Sequence, residues 1–144
     1  MSVSTADRDR VRKPGSASAY GVFRALTGLA AIAVLLQGLW AGIFLEHDGQ
    51  RDSSSSWIDV HARGGEVALA LSALALVFAI VRLRSRRDLL LGAAVLMVLL
   101  GLESYLGGLI RDNGTDTLTA VHVPLALAIM ALAVWLPLRS GRAT

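Results

Sequence analysis

The sequence predicts an all-α integral membrane protein. The expected fold is a four-transmembrane-helix antiparallel bundle made of two similar helical hairpins, with N and C termini cytoplasmic. Three observations lead there: four apolar blocks of membrane-spanning length, a repeat relating the first half of the chain to the second, and arginines gathered on alternate connections. The chain has 144 residues, 54% of them hydrophobic, and a mean hydropathy of +0.58. That is too apolar for an ordinary soluble domain of this size.

A hydrocarbon core of about 30 Å takes about 20 apolar residues to cross. The blocks Ala25–Leu45, Ala62–Val81, Leu89–Ile110 and Thr117–Leu138 all reach that length. They predict helices over about 25–45, 60–82, 88–110 and 117–138, within a membrane domain spanning 21–139. In lipid only helices or closed barrels satisfy every backbone group. No block alternates with period two, so a barrel is excluded. The first block follows the small residues Ala17, Ser18 and Ala19 and is longer than the apolar core of a signal peptide, so it is read as a retained span.

The connections set the orientation. Arg8, Arg10, Arg12, Lys13 and Arg24 precede or open the first block. Arg82, Arg84, Arg86 and Arg87 sit between the second and third, and Arg139 and Arg142 follow the fourth. The opposite connections carry only Arg51 and Arg111. The positive-inside rule places the arginine-rich side in the cytoplasm, as expected of a multi-pass protein of a cell membrane, here a bacterial plasma membrane. The basic pI of about 10.2 then reflects topological anchors that can also touch anionic lipid, and no nucleic-acid partner is implied. Residues 1–20 read as a disordered cytoplasmic segment and 140–144 as a cytoplasmic tail. The loop Glu46–Val60, with its Ser53–Ser56 run, reads as a flexible polar excursion. Asn113-Gly114-Thr115 matches a glycosylation sequon, but is read as a turn. Without cysteine there is no disulfide, thiolate chemistry or Cys-ligated metal.

An internal repeat runs through the blocks. Leu36-Gln37-Gly38-Leu39-Trp40-Ala41-Gly42-Ile43-Phe44 resembles Leu102-Glu103-Ser104-Tyr105-Leu106-Gly107-Gly108-Leu109-Ile110. Each copy leads through a polar loop to a helix with a histidine near its start, His61 in one and His122 in the other. Two histidines on different helices at matching depth are what axial ligation of a haem iron requires. The small residues Gly64, Gly65, Ala68 and Ser72 lie on the face of His61. Gly38, Gly42, Ser104, Gly107 and Gly108 fall at the same level and would leave room for a macrocycle. The same small-residue spacing is also ordinary helix-packing grammar in membranes. Arg63 and Arg111 lie near the outer surface, where they could pair with haem propionates. Glu66 and Glu103 are carboxylates within spans, where charge usually faces the bundle interior. Glu103 is read as a proton-handling group, as the partner of Arg63, or as half of an interior pair with Gln37, its repeat equivalent. His47, beside Glu46 and Asp48, is read as solvated.

Gln37-Gly38…Gly42, Gly107-Gly108-Leu109-Ile110 and Val121-His122-Val123-Pro124-Leu125-Ala126 resemble the haem A synthase family. The likeness covers residues 25–138 and corresponds to one four-helix half of an eight-helix protein. It implies that His61 and His122 are the paired ligands of one haem on the outer side; the residue reading takes this as haem b, with Arg63, Arg111, Gly42 and Gly108 around the cofactor. Departures accompany it. Ile58 stands three residues before His61, where catalytic members carry a glutamate, and the nearest carboxylate, Asp59, is one residue out of step. The outer-loop cysteine pair of many members is missing. With one histidine pair, a two-site mechanism would need a homodimer.

The sequence therefore supports a haem-binding protein serving electron transfer, haem handling or haem A synthase-like chemistry, with a respiratory-chain partner or a second copy as candidate partners. The competing reading is a cofactor-free subunit or scaffold acting through its small-residue faces. A transporter is disfavoured, since no helix is visibly broken and no charged path crosses the inner half.

Overall fold

A computed structural model of the protein describes residues 14–46 and 51–142. Four long helices account for most of them: α1 (Pro14–Glu46), α2 (Arg51–Arg82), α3 (Arg87–Asn113) and α4 (Thr119–Gly141), the last preceded by a 3-10 turn at Asp116–Leu118. Each contains an apolar stretch long enough to cross a membrane: Ala17–Ile43, Ser56–Arg82, Arg87–Asn113 and, taking in the turn, Asp116–Gly141. At a rise of about 1.5 Å per residue such stretches reach ~40 Å, ample for a ~30 Å core. The four apolar helices suggest a multi-pass membrane protein.

Two helices start earlier than their apolar blocks. α1 already includes residues 14–20, expected to be disordered, and α2 begins at Arg51, so most of the expected polar excursion Glu46–Val60 is helical. Polarity at these ends marks where an apolar span stops, and a helix whose backbone bonds are internal extends beyond it. His47 lies outside the described residues, as do the arginines of the first thirteen positions.

Helices adjacent in sequence pack side by side, and α1 also packs against α4, so the bundle closes in the order α1–α2–α3–α4. The pairs α1/α3 and α2/α4 are therefore diagonals. The link from α2 to α3 is a tight turn in which Leu83 N–H donates to Ala79 and Arg86 N–H to Leu83. The link from α3 to α4 uses Gly114 in the left-handed region, at φ 65°, which glycine adopts without a Cβ clash. The Leu109 carbonyl accepts from Gly114 N–H and from the Thr115 hydroxyl at 2.6 Å. The Asn113-Gly114-Thr115 segment is thus a helix-ending turn.

The buried residues show the repeat in three dimensions. On α1 they include Phe23, Thr27, Ala30 and Val34, and on α3 Leu89, Ala93, Leu96 and Leu100. Taken in order, these form four pairs separated by one constant sequence offset. On α2 Ala68, Ser72, Ala75 and Ala79 correspond in the same way to Ile129, Ala133, Leu136 and Ser140 on α4. His61 and His122 share that second offset. The α2 stripe is entirely small, which lets its neighbours approach closely. Its buried hydroxyl is satisfied locally, Ser72 donating to Leu69 at 2.8 Å. Thr27 and Ser140 do the same toward Phe23 and Pro137.

All of these buried positions lie in one half of the bundle, bounded by Val34, Ala68, Leu100 and Ile129. That half ends in arginines. Asp88 accepts two bonds from Arg86, at 3.0 and 2.9 Å, and one from Arg139 of α4 at 2.9 Å. The Arg86 guanidinium also lies 5.5 Å from the ring centre of Tyr20 on α1. Its pKa is raised, chiefly by the hydrogen bond to Asp88. The other half, toward the α1–α2 and α3–α4 connections, contains no fully buried apolar side chain among the described residues. It carries the histidines instead.

Candidate functional site

His61 and His122 enter from opposite corners, since α2 and α4 form a diagonal. They lie five and six residues inside the apolar stretches beginning at Ser56 and Asp116, a matched depth of roughly 8–9 Å. Counted inward, each stands seven residues, two helical turns, before the first buried residue of its stripe, Ala68 or Ile129. The helical phase that buries those residues therefore turns both imidazoles into the bundle. Their ring centroids are 6.3 Å apart with an interplanar angle of 64°.

Each ring is met at Nδ1 by the other helix of its own hairpin. His61 Nδ1 lies 3.2 Å from the Gln37 backbone carbonyl. A carbonyl only accepts, so this bond requires the Nδ1–H tautomer. His122 Nδ1 lies 3.2 Å from Glu103 Oε1, with both side chains less than a fifth exposed. The two do not meet at hydrogen-bonding angles, so His122 Nδ1 and both Glu103 oxygens stay buried without a hydrogen-bond partner. The atoms are close enough for attraction and wrongly aimed for a bond. Gln37 and Glu103 occupy equivalent places in the repeat, each three residues beyond the last buried residue of its helix, Val34 or Leu100.

The glycines divide by what surrounds them. A Cβ at Gly64 would collide with Gln37 Nε2, so that glycine admits the Gln37 amide, which itself donates to Ala33 at 3.2 Å. A Cβ at Gly107 would stand 3.4 Å from His122 Cε1. Gly38, Gly42 and Gly108 have nothing within 4 Å of a Cβ position. Counting from Val34 and Leu100 puts Ala41 and Gly107 on the inward line, with Gly42 and Gly108 one residue off it. Gly42 is exposed and Gly108 half-buried.

Of the expected arginine contacts, the pairing of Arg63 with Glu103 does not form. Arg63 is exposed. Arg111 is bound to its neighbour Asp112, at 2.7 and 3.3 Å, and lies within electrostatic reach of Asp59 and Glu66. Glu103 has Arg63 neither as an ion-pair nor as a hydrogen-bond partner. The alternative Gln37–Glu103 pair does not form either: α1 and α3 are diagonal, the Gln37 amide turns back to Ala33 and Glu103 faces His122. Glu66 is exposed. The histidine end is closed between α1 and α2 by Trp40 stacked on Trp57, with centroids 5.6 Å apart and 21° between planes. Trp57 stands one turn before His61.

Sequence reading picked out both histidines and noted Gln37, Glu103 and Gly107, but not their contacts with the rings. The available signal was the repeat itself, which puts Gln37 and Glu103 at one register in front of the two histidines. Among the described residues no group of three or more His, Cys, Asp or Glu gathers around a common point. Comparisons with protein-family models, with curated proteins and with solved structures find no match. Fold and geometry thus define a class and nothing narrower: a four-helix, membrane-type bundle with a histidine pair across one diagonal.

Proposed function

We propose that this protein binds one b-type haem between His61 and His122, toward the histidine end of the bundle. The observation that carries the reading is the spacing of the two imidazoles. With metal–nitrogen bonds of about 2.0 Å, rings on opposite sides of one iron have centroids roughly 6 Å apart, and these stand at 6.3 Å. Two protein ligands are few for a bare ion, but suffice for an iron that already has four macrocycle nitrogens.

The surroundings fit the same group. A ligating histidine generally gives its other ring N–H to a carbonyl or carboxylate. Here Nδ1 of each ring is beside such a group, Gln37 O or Glu103 Oε1, which assigns Nε2 to the iron. With the ligands on the α2–α4 diagonal, space is needed along the other one. On α3, Gly107 of the inward line carries no side chain beside the His122 ring, where a Cβ would stand 3.4 Å from Cε1, and so leaves room there.

When bound, haem supplies a one-electron iron couple whose potential is set by ligands, hydrogen bonds and burial. The chain's own residues would hold the iron at two points and orient the imidazoles from α1 and α3. Arginines concentrated at the opposite end support an orientation with the histidine end outside the cytoplasm. Electron transfer, haem handling and haem A synthase-like chemistry all suit this arrangement. The departures at Ile58 and in cysteine content weigh against the last.

The test is an absorption spectrum of the full chain purified in detergent from haem-replete cells. A Soret band that is lost in both His61→Ala and His122→Ala is the expected result. A colourless wild-type protein that takes up no added haemin refutes the reading and favours a cofactor-free membrane subunit.

A further inference from the structure

We infer that Glu103 is a positioning residue that makes the two axial histidines chemically unequal, so that the His122 side of the site favours ferric iron. This deepens the haem reading and rests on it.

The repeat gives both hairpins the same device: a residue of α1 or α3, three positions beyond the buried stripe, faces Nδ1 of the histidine on the next helix. The device differs in one respect. For His61 the acceptor is a neutral backbone carbonyl, Gln37 O at 3.2 Å. For His122 it is a carboxyl oxygen, Glu103 Oε1, also at 3.2 Å. The Gln37 side chain, the repeat equivalent of the Glu103 side chain, turns back to Ala33 instead. The two-fold likeness of the hairpins therefore breaks at this pair of positions beside the rings.

Glu103 has reason to complete the bond. Its two oxygens and His122 Nδ1 are all buried and unsatisfied, and leaving such groups unpaired is costly. With the atoms already 3.2 Å apart, turning the carboxyl or the ring about its terminal side-chain torsion corrects the angle, and these torsions are broad. Gly107 places no Cβ against the ring: one there would stand 3.4 Å from His122 Cε1. Packing alone does not explain a carboxylate here, because a leucine would fill the interior without adding two buried, unpaired oxygens.

Hydrogen bonds to a carboxylate are roughly twice as strong as those between neutral groups. A ring N–H held this way makes its other nitrogen more basic, which stabilises the higher charge of ferric iron over ferrous in the one-electron couple. A carbonyl does so less. His122 is thus the stronger ligand and His61 the weaker.

Two measurements test this on the full-length protein. The first titrates the haem-loaded protein potentiometrically with soluble mediators, comparing wild type with Glu103→Gln and Glu103→Leu. Replacing the acceptor should raise the midpoint potential, with a tenfold loss of ferric preference corresponding to 59 mV. Glu103→Leu should also weaken haem retention by about 10–100-fold. The second needs no haem: nitrogen NMR of 15N-histidine-labelled apoprotein reads the His122 tautomer. Nδ1–H should dominate in wild type and decline in Glu103→Leu, with His61 unaffected. Glu103→Gln is isosteric and keeps an acceptor, so it reports even if the leucine variant fails to fold. An unchanged potential in Glu103→Gln, or an Nε2–H tautomer at His122 in the wild-type apoprotein, overturns the inference while leaving haem binding intact. A wild type that never binds haem removes the ground for both, which separates the two failures.

Discussion

Gly92→Ala should destabilise the bundle although it replaces a poor helix former with the best one. Gly92 lies on α3 against Leu136 and Trp135 of α4. A Cβ there would stand 2.8 Å from Leu136 Cδ2 and 3.0 Å from Trp135 Cζ3. The Leu136 side chain is fully buried, at 0% exposure, so its methyl has no open direction in which to retreat. Overpacking of this kind costs about 1–3 kcal/mol. Against it stands a helix-propensity gain of roughly 0.5–1 kcal/mol for losing a mid-helix glycine, leaving a net loss of about 0–2.5 kcal/mol. Gly101 offers an internal control on the same helix, because a Cβ there meets nothing within 4 Å. Gly101→Ala should take the propensity gain without the clash. The difference between the two variants removes the propensity term and should be about 1–3 kcal/mol. Equilibrium unfolding in mixed detergent micelles, followed by helical circular dichroism, measures it. Adding Leu136→Val to Gly92→Ala should recover part of the loss by withdrawing the obstructing methyl. Equal stabilities for Gly92→Ala and Gly101→Ala would refute the close α3–α4 packing from which the magnitude comes.

Two other contacts give separate predictions. Asp88→Ala removes the bond to Arg139 that joins α3 to α4 at the arginine end, together with the local bonds from Arg86 in the preceding turn. Asp88 is 30% exposed, so the loss should be only about 0.5–2 kcal/mol and should shrink on raising salt from 0.05 to about 0.5 M; a salt-independent loss would point to packing instead. Trp40→Ala and Trp57→Ala should couple by about 0.5–1.5 kcal/mol in a double-mutant cycle. Additive effects would show that the stacked rings contribute area alone.

The sequence alone was enough to establish how many spans the described residues hold and that they come as two hairpins. Apolar length fixes the span number because each crossing must cover the same hydrocarbon thickness. The repeat around Gln37 and Glu103, each copy followed by a helix with its histidine, specifies two like hairpins before any contact is known. What the sequence could not settle was which side of each helix faces inward. In a soluble bundle that side is the apolar one. Here Leu29, Ile32, Leu35 and Leu39 are exposed on α1, while Thr27 and Ala30 on the same helix are buried. Lipid accepts leucine as readily as the core does, so hydropathy carries little phase information and small residues fill the tight interior instead. This is why Gly42 and Gly108 could be chosen from the sequence when the inward line passes through Ala41 and Gly107. The helical extent of 14–20 and 51–60 was likewise hidden, because polarity reports the edge of the span and not the end of the helix. The meeting of His61 with His122 across the α2–α4 diagonal, with Gln37 and Glu103 behind them, depends on the order in which the helices close. Only the tertiary structure decided that order, because it follows from packing between distant segments and no local run of residues encodes it.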